Sequence, residues 1–251
     1  MKKRWPLKIN VSLVTLLVWW CLMMLKAQRW VFFCYGVMMM HECAHVLAGM
    51  IFRCSVEKVM VYPFGLIAEI KETESLCFLE RLFLYGAGPC VHLVVFLWLN
   101  LMHQLGWVSV VMHDYCVQLN LNYLLFNLMP VYPLDGYQIL LSFLYLFLPY
   151  RFALYLSEWI SLVVLFLFVV YSPHTIVILI SFLMLLSING IRCFRLRKEM
   201  HQFYLKRYLR TRNYPSKIHH FEDCFVYRNN LVVKENEICN EKMLLKKILK
   251  L

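Results

Sequence analysis

The chain has 251 residues, of which 61% are hydrophobic and 16% charged, and it carries a formal net charge of +11. Soluble domains run at about 45–50% apolar and about 25% charged residues. This composition excludes an ordinary soluble globular protein, the more so because the apolar residues fall in long blocks such as Trp159 to Val170 and Ile176 to Ile188.

A helix needs about 20 mostly apolar residues to cross about 30 Å of hydrocarbon. In chain order, six spans are predicted, at about residues 9–25, 30–51, 82–105, 115–148, 152–171 and 174–191. The expected fold class is therefore an all-α polytopic membrane protein. The first span is short and follows Lys2, Lys3 and Arg4, as a signal peptide would, but no small-x-small cleavage site precedes Lys26, so it is read as retained. Residues 115–148 are too long for one straight helix. Between the second and third spans, Val56, Val59, Val61 and Tyr62, then Pro63-Phe64-Gly65 and Leu66–Ile70, read as a short hairpin. The domain division expected is 1–191 for the membrane domain and 192–251 for a basic tail. Ten cysteines lie mostly in apolar segments without CxxC spacing, which favours buried thiols over disulfides.

Cytoplasmic loops are enriched in Lys and Arg. Placing the N-terminus inside puts 24 of the 26 Lys and Arg there and leaves only Lys26 and Arg29 outside. Both termini and the hairpin are thus expected to be cytoplasmic. The run Arg192-Cys-Phe-Arg195-Leu-Arg197-Lys198 is expected to lie against an anionic lipid surface, where each cation contributes about 1 kcal/mol. No fold signature for nucleic acid accompanies these charges, and nucleic acid is not expected as a partner.

The second span contains His41-Glu42-Cys43-Ala44-His45. Histidines at i and i+4 share one helix face and reach a single ion, while Glu42 projects to the side and approaches the water. Zinc lowers the pKa of a bound water to about 7, and a glutamate then takes its proton. Ionisable residues at the centre of a span cost about 2.5–3.5 kcal/mol each, and three within five positions call for a function.

Catalytic zinc takes three protein ligands and keeps one open position. The third candidate is Asp135, in Asn127-Leu-Met-Pro130-Val-Tyr-Pro133-Leu134-Asp135-Gly136. Pro130 and Pro133 break the helix there, and irregular backbone at membrane depth is tolerated only where it is buried in protein or lines a wet cavity. The second and fourth segments both run from outside to inside. His45 stands about six residues, or ~9 Å, from the inner end, so the charge-derived topology lets Asp135 meet the histidines in the cytoplasmic half of the bilayer. Asn127 is expected to hold a substrate backbone or an interhelical hydrogen bond. Gly86-Ala87-Gly88-Pro89 is expected to permit close helix packing. His92, His103, His113 and His174 lack spaced partners and are read as structural or interfacial.

These motifs resemble the site-2 protease family of intramembrane zinc metalloproteases. The resemblance rests on His41-Glu42-x-x-His45, on Asn127-x-x-Pro130-x-x-Pro133-Leu134-Asp135-Gly136, on Gly86-Ala87-Gly88-Pro89 and on the order of spans, over roughly residues 5–195. It implies that His41, His45 and Asp135 bind zinc and that Glu42 is the general base. Asn127, Pro133, Phe64 and Gly65 would then contact the substrate. Within the family the pattern is most like the sporulation branch. That branch implies a membrane-associated pro-sigma factor as substrate, inhibitory membrane proteins as partners and the membrane around the forespore as location.

Cys43-Ala44 departs from the Leu-Gly common between the histidines, and Leu66 from a second glycine after Phe64-Gly65. Residues 192–251 are short and basic for the nucleotide-sensing CBS domain of related enzymes, which puts regulation by ATP in doubt. Two rival readings are a membrane metal-ion transporter and a catalytically inactive membrane scaffold.

Overall fold

The structure, a computed structural model, describes residues 8–11, 15–17, 20, 24, 28–62, 65–71, 73, 76–171, 186, 192, 200, 203–204, 216–219, 226–227, 229–234 and 237–249. Most of the predicted first span, Pro63, Phe64, His174, the sixth span apart from Leu186, and Arg195, Arg197 and Lys198 lie outside the described residues. The chain divides into two compact units, Met1–Leu128 and Met129–Leu251.

The first unit holds helices α1 (Gln28–Ile51), α2 (Phe78–Gln104) and α3 (Val110–Asn127), with strands β1 (Lys8–Val11), β2 (Ser55–Tyr62) and β3 (Gly65–Lys71). Helix α1 packs on α2, and α2 on α3. On α2 the buried side is Leu84, Gly88, His92, Val95 and Leu99, while Leu79, Phe83, Leu93, Val94, Leu97, Trp98 and Leu101 are all exposed. A helix whose large apolar side chains point outward and whose histidine points inward is built for an apolar solvent. Helix α2, and Tyr150–Phe168 in the second unit, are long and apolar enough to cross a membrane.

The helix ends explain how the chain turns. α1 stops at a Schellman motif: Cys54 N–H donates to Gly49 O at 2.8 Å and Arg53 N–H to Met50 O at 3.1 Å, with Arg53 left-handed at φ 59°. The chain then enters β2, which pairs antiparallel with β3 from Ser55↔Lys71 to Tyr62↔Gly65. β1 pairs parallel to β2, from Lys8↔Lys58 to Val11↔Val61. Residues 9–11, expected to open the first span, are therefore strand; Ile9 and Val11 alternate about Asn10, which suits an extended chain. A capping box starts α2, with the Cys77 backbone N–H donating to Glu80 Oε2 at 2.7 Å. It begins four residues earlier than expected, so Gly86–Pro89 lie inside the helix instead of opening it. α2 ends on a second Schellman motif, here with Gly106 at φ 74° and Trp107 N–H donating to Met102 O at 3.0 Å.

The second unit opens with the irregular segment 129–134, then α4 (Asp135–Phe147), α5 (Tyr150–Tyr171), strands β4 (Ser216–His219), β5 (Asn229–Lys234) and β6 (Glu237–Asn240), and α6 (Glu241–Leu249). The overlong fourth span is thus two helices, α3 and α4, separated by the segment that carries both prolines. α4 and α5 meet at Pro149, which holds Leu148 extended at φ −111°, ψ 148°. β5 pairs parallel with β4 and antiparallel with β6.

One core joins α4 and α5 (Tyr137, Leu141, Tyr145, Tyr150, Ala153, Leu154) to tail residues Met200, Phe203, Tyr204, Val226, Leu245 and Leu249. The tail is therefore folded onto the helices. Arg192, expected at a lipid surface, is buried in an ion pair with Glu158. An unpaired carboxylate inside an apolar helix is far costlier than one held by a guanidinium.

Candidate functional site

Three helix faces build a polar layer in the first unit. On α1 the buried positions Val37, His41, His45 and Ala48 recur every three or four residues, so both imidazoles fall on the packed face. They meet the Leu84–Gly88–His92 side of α2. α3 contributes Asn120, buried, and Tyr123, whose ring lies 6.4 Å from that of His41 and 5.6 Å from that of His92. An apolar cluster of Val37, Val95, Leu99 and Cys116 lies to one side of the layer. On the other lies a cluster of Ala48, Cys54, Leu76 and Leu84.

The hydrogen bonds fix the tautomers. Asn120 Nδ2 donates to the backbone O of His92 at 2.9 Å, and a carbonyl only accepts, so Asn120 Oδ1 is the end that faces His92 Nδ1 at 2.8 Å. His92 Nδ1 must then carry a proton, which makes its Nε2 an acceptor. His41 Nδ1, 3.1 Å away, is the donor to it. That leaves His41 Nε2 with its lone pair. Independently, His45 Nδ1 donates to Leu84 O at 2.8 Å, so in the neutral ring the lone pair is at His45 Nε2.

These two Nε2 atoms lie 3.1 Å apart. Facing lone pairs repel unless a cation sits between them. At zinc–nitrogen distances of about 2.05 Å, nitrogens 3.1 Å apart subtend about 98° at the ion, close to a tetrahedral angle. The donor set therefore fits zinc, with each ligand oriented by an outer hydrogen bond.

Gly88 completes the fit. A Cβ there would overlap His45 Nε2 and stand 2.5 Å from His41 Nε2. Gly86, in the same motif, has nothing within 4 Å of its Cβ position. The motif does pack helices closely, as expected, but through Gly88 and against the imidazole tips.

Glu42 follows His41 on α1 and is half-buried. Asp135 is the first residue of α4 and partly buried, a position where the helix dipole favours a carboxylate. Its neighbours are firmly held. Arg192 stacks over the ring of Tyr132 at 3.9 Å and that of Tyr137 at 4.7 Å. Tyr132 N–H donates to Ser161 Oγ at 3.3 Å, and Tyr137 OH donates to Glu158 Oε1 at 2.8 Å. Asn127 ends α3 with its Nδ2 donating to Tyr123 O at 3.2 Å, one turn back on its own helix. Pro133, two residues before Asp135, is partly buried. Of the hairpin turn, Gly65 opens β3, and Phe64 lies outside the described residues.

Sequence spacing missed His92 and Asn120, because their partners are on other helices. The available signal was that each is a polar residue inside a span, the argument applied to His41. His103 and His113, also read as isolated, stack on each other with centroids 4.8 Å apart.

No protein-family model matches the chain. Over 120 residues, 46% of this chain, the sequence is 30% identical to "Stage IV sporulation protein FB" of Bacillus subtilis (strain 168). The match spans 40% of the length of that relative. The fold is similar to the solved "Site-2 Protease from Methanocaldococcus jannaschii", with a TM-score of 0.56 and 21% identity over 74% of this chain and 90% of that one. At that identity the likeness is one of fold. The resemblance to site-2 proteases carried by the motifs is thus met again in one relative's sequence and in another's fold.

Proposed function

We propose that the chain is an intramembrane zinc metalloprotease that cuts a membrane-associated proprotein near the cytoplasmic face. The observation that carries this reading is the convergence of the buried Nε2 atoms of His41 and His45, 3.1 Å apart, on the helix that also bears Glu42. Three protein ligands with an open position define a hydrolytic zinc site, and Asp135 is proposed as the third. The resemblance carried by the Asn127–Gly136 motif and the charge-derived topology support that assignment.

When bound, zinc supplies a Lewis acid and a water acidic enough to ionise near neutrality. Glu42 takes the proton from the attacking water and delivers it to the leaving amine. The substrate has to be extended, because helical hydrogen bonds hide the scissile carbonyl. Pairing with β3, whose other neighbour is β2, supplies that extension. Asn127, Pro133, Phe64 and Gly65 are proposed to line the substrate path.

The proposed topology has six spans with both termini cytoplasmic, residues 1–191 as the catalytic domain and 192–251 as a basic cytoplasmic tail. The relative called stage IV sporulation protein FB favours a sporulation role, with a pro-sigma factor as substrate, a forespore-surrounding membrane as location and inhibitory membrane proteins as partners. An anionic lipid surface is proposed for the tail cations beyond Arg192. A metal-ion transporter is disfavoured, because it needs polar residues along a path through both leaflets, whereas the polar layer here is capped by apolar clusters on two sides.

The test is co-expression with a tagged pro-sigma-factor substrate and immunoblotting. Wild type is expected to process it, while Glu42→Gln and Asp135→Asn are inactive and Glu42→Gln still holds zinc. Cleavage retained by Glu42→Gln would sink the mechanism. A zinc-free wild type would sink the metal reading.

A further inference from the structure

We propose that His92 and Asn120 form a positioning pair that locks the tautomer and ring orientation of His41, so that His41 Nε2 faces the ion before the ion arrives. The inference rests on the proposed zinc site and adds to it two residues that never touch the metal.

The geometry is a directed chain. Asn120 is gripped by its own amide, which donates to the His92 backbone O at 2.9 Å, so its Oδ1 stays turned toward His92 Nδ1 at 2.8 Å. With neutral imidazoles, one proton arrangement satisfies these contacts: His92 Nδ1–H to Asn120, and His41 Nδ1–H to His92 Nε2 at 3.1 Å. Each link is buried, with His92 at 1%, Asn120 at 4% and His41 at 3% exposure, and apolar clusters lie on two sides of the layer. A flipped Asn120 would set two donors against each other at His92 and two acceptors against each other at its carbonyl. In a buried site each such mismatch costs about 1–3 kcal/mol. Tyr123 packs against both the His41 and His92 rings and limits their rotation.

The alternative role for these residues is packing alone, and the two roles differ in what they do to the metal. Losing an outer-shell partner of a zinc ligand weakens metal binding about 10–100-fold. The purified full-length chain in detergent is loaded with zinc and titrated with a metal chelator, and the metal left on the protein is measured. His92→Ala and Asn120→Leu are expected to release zinc at about 10–100-fold lower chelator concentration than wild type. His92→Gln, whose side-chain oxygen can accept from His41 Nδ1–H where Nε2 did, is expected to recover most of that loss. Cobalt-loaded His92→Ala is expected to show an altered visible spectrum, reporting a misaligned ligand.

Wild-type zinc retention in both His92→Ala and Asn120→Leu overturns the positioning role while leaving the zinc site standing. Failure of His92→Gln to improve on His92→Ala overturns it too. A wild type that binds no zinc overturns the site and this inference together. Should His92→Ala not yield monodisperse protein, Asn120→Leu, which touches no ligand, decides by the same two results.

Discussion

Arg192 and Glu158 form an ion pair of 2.6 Å whose side chains are only 8% and 4% exposed, inside the unit that bears Asp135. Glu158 is on α5, and its partner comes from well beyond the end of that helix. The same guanidinium covers the rings of Tyr132 and Tyr137, which flank Asp135 in sequence. One cation therefore neutralises a carboxylate and clamps the segment that presents another.

Arg192→Leu is expected to destabilise the protein by about 3–5 kcal/mol, because it leaves Glu158 as an uncompensated buried charge. The double variant Arg192→Leu, Glu158→Leu is expected to regain most of that loss, since a buried pair replaced by apolar groups is often neutral. Denaturant unfolding in detergent checks both. A single variant as stable as wild type would mean that Glu158 finds another partner.

Gly88→Ala is expected to remove zinc without unfolding the helix, since the new methyl overlaps the Nε2 atoms of both histidines. Gly86→Ala, two residues away, meets nothing within 4 Å and is expected to keep full metal content. Zinc per chain by elemental analysis separates the two. Equal zinc in both variants would show that the α1–α2 spacing relaxes.

The two Schellman ends make opposite predictions. Arg53 adopts φ 59° and Gly106 φ 74°, and a side chain in that region costs about 1–2 kcal/mol. Arg53→Gly is expected to raise stability by about 1 kcal/mol and Gly106→Ala to lower it by a similar amount. Melting temperatures of the two variants, moving in opposite directions, check this.

The sequence alone was enough to put His41 and His45 on one helix face, where both are buried. Three ionisable groups in an apolar span demand an explanation, and i, i+4 spacing supplies one on a single helix. The same logic singles out Asp135, through its prolines, as a candidate. It fails at His92 and Asn120, since spacing within one helix carries no information about which face of the next helix lies opposite. Arg192 was misread for a related reason. A cation just past an apolar run looks like a surface anchor until the lone carboxylate at Glu158 is recognised as needing it. β1 was missed because Ile9 and Val11 add to a hydropathy window as readily as they alternate in a strand.

Leu245→Ala, at 1% exposure, is expected to cost about 2–5 kcal/mol, although it lies more than seventy residues beyond the end of α5. A broadened or lower unfolding transition in the second unit checks it. An unchanged transition would show the tail to be dispensable to that core.

The shared core of α4, α5 and the tail bears on the order of events at synthesis. Tyr137 and Tyr145 are sealed by residues as late as Leu245 and Leu249, so the seat of α4 closes only after the final strands and helix have been made and have docked. The histidine layer needs nothing later than Tyr123 and can form first. The histidine layer is thus finished early and the packing around Asp135 late. Throughout that interval the nascent chain holds the packed histidine layer but lacks the packing that steadies Asp135.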